Sequence, residues 1–135
     1  MEQTEQKRYD EIKAKLFEMT PSLVEDVLAI FRQDQDLVTR FGNDLPRITE
    51  QEVSRLRDIL LGAIMLNYPQ LLGREVKWLL TVATARNFNL ETVRSHLRHY
   101  RVRLSKDLAP EQSALVLNLF DQALDAEILQ PNSIL

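Results

Sequence analysis

The chain has 135 residues, 44% apolar, 27% charged and 7% aromatic, with a formal net charge of −3. This length suits one domain that buries roughly two-thirds of its unfolded surface, and the ordinary charged fraction excludes wholesale disorder. Three glycines argue against turn-rich β architecture and glycine-loop phosphate sites, and zero cysteines exclude disulfides, thiolate metal sites and a cysteine nucleophile.

The hydrophobic periodicity is helical nearly everywhere, with no sustained alternation bounded by turn residues. Residues 5–18 place Tyr9, Ile12, Leu16 and Phe17 on one face of an amphipathic helix. Thr20 and Pro21 then read as the cap and first turn of a second helix, about 21–32. Its wide stripe of Leu23, Val24, Val27, Leu28, Ile30 and Phe31 predicts contact with two neighbours. A short helical turn through Leu37, Val38 and Phe41 is stopped by Gly42-Asn43.

Thr49 and Glu52 then form a capping-box pattern, with Ile48 and Val53 as its apolar staple. They predict a helix over 50–66 with Val53, Leu56, Leu60, Ala63 and Ile64 inward. Tyr68-Pro69 ends it, because the residue before proline is pushed out of the helical region. A helix over 70–86 buries Leu72, Val76, Leu79, Leu80, Val82 and Ala83. Asn87 suits a left-handed C′ position and Asn89 an N-cap. The next helix, 90–108, has the seam Leu90, Val93, Leu97, Tyr100 and Leu104. Pro110 opens the last, 110–128, with Leu115, Leu119, Ala123 and Leu124 on one face.

The expectation is therefore a single all-α domain over 1–135, with six or seven helices in a globin-like or irregular helical bundle and frayed tails at 1–4 and 130–135. Its expected core comprises Leu28, Phe31, Leu56, Leu60, Ile64, Leu79, Val93, Leu97, Leu104, Leu119 and Phe120. No secretory signal is visible at the N-terminus. The longest apolar run, Ile59 to Leu66, is far short of the ~20 residues that span a bilayer. A soluble cytoplasmic protein without membrane contact is expected.

Charge is segregated along the chain. Residues 1–73 carry 9 basic against 13 acidic side chains, residues 74–106 carry 8 against 2, and residues 107–135 carry none against 5. A basic helix between acidic segments either meets them within the molecule or presents a cationic strip. Arg94, Arg98 and Arg101 form a stripe beside the apolar seam, with Arg103 and His96 on its other side. These four arginines are candidate contacts for an acidic protein surface or for nucleic-acid phosphates. On the wheel, His96 lies at the margin of the seam and His99 almost opposite, so both read as partly exposed polar residues. No third ligand has suitable spacing, and neither a metal nor a cofactor is expected. Trp78, the only tryptophan, is a candidate ligand or interface anchor, or a packing residue at the core edge. Asp34/Asp36 and the helically spaced Glu25-Asp26 and Asp121/Asp125 supply carboxylates, the latter two facing solvent, with no sign of the buried member that a catalytic pair needs. No phosphate loop, activated-serine elbow or metalloprotease motif occurs, and the chain is read as not an enzyme.

Two resemblances arise from the basic region. Residues 82–97 resemble a helix-turn-helix of the LuxR type, with Ala83 at the small position of its first helix, Asn87 in place of the turn glycine and Phe88 at the turn apolar position. Thr92 to Leu97 then look like the recognition helix, which implies Arg94, Ser95 and Arg98 facing the major groove. Over about 20–125, the stretch from Arg86 to Val93 followed by Tyr100-Arg101-Val102-Arg103-Leu104 looks like the N-terminal sensor domains of stressosome co-antagonist proteins. That resemblance implies a non-haem globin-like or helical-bundle module with a signalling role, no catalysis and dimerisation through long helices. The leading expectation is a regulatory, sensor-like domain acting through a protein partner or as a homodimer, with an apolar small ligand as a subsidiary element. The alternative is a DNA-binding regulator using 82–104.

Overall fold

The computed structural model describes residues 3–124 and is all-α, with no strand among them. Five long helices and one short helix are joined by tight turns. They are α1 (Gln3–Arg32), α2 (Gln35–Phe41), α3 (Leu45–Leu66), α4 (Pro69–Ala85), α5 (Leu90–Asp107) and α6 (Pro110–Leu124), with a single 3₁₀ turn at Gly42–Asp44 between α2 and α3. Residues 1, 2 and 125–135, which include most of the expected frayed tails and the expected end of the last helix, lie outside the described residues. No described helix is long and apolar enough to cross a membrane.

The chain ends of the later helices follow local hydrogen bonding. Asn67 closes α3 and Asn87 follows α4, both in the left-handed conformation, with φ of 49° and 59°. Each turn is locked by an amide reaching back, Tyr68 N–H to the Ala63 carbonyl at 2.9 Å and Phe88 N–H to the Ala83 carbonyl at 2.8 Å. The Asn89 side chain accepts from the Glu91 amide at 2.9 Å and caps α5. Gly42, with φ of 50°, turns the chain out of α2.

Two expected boundaries are corrected. The first two helices are one, and α1 runs for 30 residues through Pro21. Thr20 caps nothing; its hydroxyl donates to the Leu16 carbonyl at 2.6 Å and accepts from Arg57 Nη1 at 3.3 Å. Proline lacks the amide that would bond the Phe17 carbonyl, but Phe17 and Pro21 are both exposed, so water can satisfy that oxygen. The continuous buried row Tyr9, Ile12, Leu16, Leu23, Val27 and Phe31 outweighs the local break. Replacing Pro21 with alanine is expected to stabilise the fold by about 1–3 kcal/mol, since an interior proline costs about 3 and its restriction of the unfolded chain returns part of that. Urea denaturation checks this, and a destabilised variant would show that the proline's local geometry is needed for packing.

The second correction concerns α3, which begins at Leu45 rather than after Thr49. Pro46 occupies its first turn, where a missing amide costs little. Thr49 is fully buried inside the helix and donates to the Leu45 carbonyl at 2.8 Å, so no capping box forms.

α1 packs against α3 and α5, α3 against α4, and α6 closes the bundle against α4 and α5. Of the expected core, Phe31, Leu56, Leu60, Leu97, Leu104, Leu119 and Phe120 are buried, whereas Leu28, Ile64, Leu79 and Val93 are only half-buried. Tyr100 stacks on Phe120 with ring centroids 6.2 Å apart, joining α5 to α6. Phe17, expected inward, is half exposed beneath the Arg57 guanidinium, 3.8 Å from the ring centre.

Candidate functional site

The four candidate arginines all lie on α5, and each is paired within the chain. Arg94 Nη1 and Arg98 Nη1 donate to opposite oxygens of Glu91, at 3.3 and 2.7 Å. The hydrogen bond from Arg98, followed by that from Arg94, holds the Glu91 carboxyl below its ordinary range despite some burial. Arg101 makes a two-pronged contact with Asp121 of α6, at 2.6 and 2.8 Å. Arg103 reaches Asp107 on its own helix and Asp26 of α1, the latter at 2.6 Å. Burial opposes its charge, and these two carboxylates more than offset that.

Of the acidic residues read as solvent-facing, Glu25 is exposed, whereas Asp26 and Asp121 are corrected. Asp26 and Asp121 are half-buried partners of the basic helix, because α1 and α6 flank it. Asp26 also meets His99 Nε2 at 2.9 Å, and chiefly this contact, then Arg103, lowers its pKa against the effect of burial. His99 is therefore turned onto α1. Asp125 lies outside the described residues.

The second group of candidates is brought together around a cavity of about 210 Å³. It lies between the end of α1, α2, the start of α3, the last turns of α4 and the start of α5. Phe31, Phe41, Phe88 and Trp78 contribute aromatic walls, with Leu37, Leu45, Ile48, Leu79, Val82 and Val93 between them. Phe41 and Phe88 touch at a 6.2 Å centroid distance, and Arg40 lies over the Phe88 ring.

Trp78 is half exposed, neither a buried packing residue nor free of contacts. The Arg55 guanidinium lies 5.1 Å from its ring centre and also forms a two-pronged bond to the buried Glu75, at 2.5 and 3.2 Å. Trp78 is thus held at the wall of the cavity by a fixed cation. Glu52 lines the same wall, and burial, then the Glu75 charge, raises its pKa.

Polar groups position the floor. Asp34 caps α2 by accepting from the amides of Asp36 and Leu37, and its other oxygen accepts from the Thr92 hydroxyl of α5 at 2.7 Å. Sequence reasoning took Asp34 only as one of a pair of carboxylates; the Asp before an apolar turn was the available capping signal.

His96 departs most from expectation. It is 3% exposed rather than partly exposed, with its ring edge-on to Phe31 at 5.5 Å and beside Tyr100 at 6.2 Å. The C-terminal turn of α1 covers the margin of the α5 seam and draws His96 into the core. Burial holds its pKa down to about 4, with a smaller contribution from the His99 charge. Its Nε2 has no hydrogen-bond partner among the described residues, and His96 lines the cavity. No group of three or more histidine, aspartate or glutamate side chains placed to hold a metal occurs among the described residues.

In comparison with known proteins, no family model, no curated protein and no solved structure matches the chain.

Proposed function

We propose that the protein is a non-catalytic regulatory domain that takes a small apolar molecule into the cavity beside Trp78 and passes its occupancy to a protein partner or a second copy of the chain. The observation that carries this reading is the cavity itself, 210 Å³ walled by aromatic and aliphatic side chains from five helices. A dry cavity of about 150 Å³ is known to accept benzene, so this one suits a substituted ring. Occupancy would bear on α2, α3, α4 and α5 together, which is the mechanical requirement for a sensor. A globin-like packing of those helices belongs to the same reading.

The internal pairing of the basic helix counts against DNA recognition. The Arg94 side chain is 12% exposed and Arg103 14%, and both hold carboxylates of this chain. A DNA reader would have to release Arg94 and Arg98 from Glu91 before they met phosphates or bases.

The test is a titration with p-xylene, followed by thermal unfolding and by emission of Trp78, the single tryptophan. At ten times its Kd a bound ligand adds about 1.4 kcal/mol, or roughly 3–6 °C in Tm for a domain of this size. Ala83→Leu, which fills the cavity from its wall, is expected to abolish both responses. An unshifted Tm in the unsubstituted protein would overturn the reading.

A further inference from the structure

The cavity lining contains one fully buried side-chain atom without a hydrogen-bond partner among the described residues. His96 is buried to 3% exposure, lines the cavity and leaves Nε2 unpaired among the described residues. Buried polar atoms are nearly always hydrogen-bonded, and an orphan is a mark of a missing partner. The ring lies edge-on to Phe31 and beside Tyr100, which hold its position at the cavity wall. Near neutral pH the imidazole is uncharged, since burial holds its pKa down to about 4. A neutral imidazole carries one donor and one acceptor, and which nitrogen holds the proton is set by its partner.

The chemistry of that partner follows from the walls. Asp34 and Glu52 outnumber Arg86 on the lining, which disfavours an anion, and an anion on Nε2 would need His96 to charge inside an apolar site. A cation carries donors only, so it would satisfy Nε2 in one tautomer alone, and it would share the lining with Arg86. A hydroxyl both donates and accepts, so it satisfies His96 in either tautomer without bringing charge. The four aromatic side chains Phe31, Phe41, Phe88 and Trp78 favour a flat ring packed edge-to-face or offset. The volume limits the ligand to a single ring with small substituents, by comparison with benzene in about 150 Å³.

We propose that the cavity is a site for an uncharged phenol-class compound, its ring among Phe31, Phe41, Phe88 and Trp78 and its hydroxyl hydrogen-bonded to His96. This rests on the reading of the cavity as a ligand site, and it adds the ligand's chemistry and the residue that selects it. His96 is the specificity residue. The aromatic walls supply affinity that any ring of the right size would share, whereas the imidazole distinguishes a hydroxyl from a methyl group.

The experiment compares p-cresol with p-xylene, which differ by a hydroxyl in place of a methyl, by calorimetric titration near neutral pH. The unsubstituted protein is expected to bind p-cresol about three- to tenfold more tightly, the range of one neutral hydrogen bond. His96→Leu, which keeps an apolar side chain of similar bulk, is expected to reverse the order. In the unsubstituted protein the ring ¹⁵N resonances of His96 are expected to move with p-cresol and not with p-xylene, a measurement that does not depend on the variant folding. Equal binding of the two compounds, or ¹⁵N resonances indifferent to p-cresol, overturns the phenol assignment and leaves the apolar cavity standing. Binding of neither compound overturns both.

Discussion

Truncating Leu97 to alanine is expected to lower the free energy of unfolding by about 2–5 kcal/mol. Leu97 is fully buried at the centre of α5, one turn from Tyr100 and two turns from Leu104 along the same seam. α5 has α1, α4 and α6 as neighbours, so the void left by the lost atoms cannot close by moving one helix alone. Val102→Ala on the same helix is the control. Val102 is 55% exposed, and its truncation is expected to fall within about 0.5 kcal/mol of the unsubstituted protein. Urea denaturation at constant m-value measures both. A Leu97→Ala loss no larger than that of Val102→Ala would mean that α5 does not pack through this seam.

The second large effect is a loss of stability in mild acid, carried by His96. In the unfolded chain the imidazole takes a proton near its ordinary value of 6.5, whereas in the fold burial delays this to about 4. Between those values the unfolded state binds a proton that the folded state does not. Stability from this group is therefore complete above about 6.5 and declines as the pH falls toward 4. At about 1.36 kcal/mol per pKa unit, the whole loss is about 3 kcal/mol. Glu91, whose folded pKa is lowered from 4.5, begins to add its loss in the lowest part of this window, Asp26, lowered from 3.8, adds its loss below it, and Glu52, whose pKa is raised, acts in the opposite direction. The difference between the unsubstituted protein and His96→Leu isolates the histidine. Chemical denaturation across the interval is expected to give parallel curves above 6.5 and, below it, a difference that moves in favour of the variant as the pH falls. A constant difference throughout would show that His96 charges freely in the fold.

The helical class, and the turns around α4 and α5, were determined by the sequence alone. Their causes are local: an apolar repeat at helical spacing, proline after Tyr68, a left-handed Asn87 and a capping Asn89 each act within a few residues. Where local and tertiary terms disagreed, the tertiary term prevailed. Pro21 and the Thr49-Glu52 pattern are signals of about 1–3 kcal/mol, and the buried rows of α1 and α3 outweighed them. The candidate site divides the same way. The basic stripe of Arg94, Arg98, Arg101 and Arg103 was legible from spacing, but the partner Asp26 lies 77 residues from Arg103 and only the packing of α1 on α5 brings them together. Trp78 stood out as the only tryptophan, yet the cavity it lines needs side chains from five helices. His96 sat at the edge of its own helical seam, where a wheel cannot say which side wins. Phe31 of α1 decided it, because burial is a property of the neighbours a residue acquires rather than of its own position in the repeat.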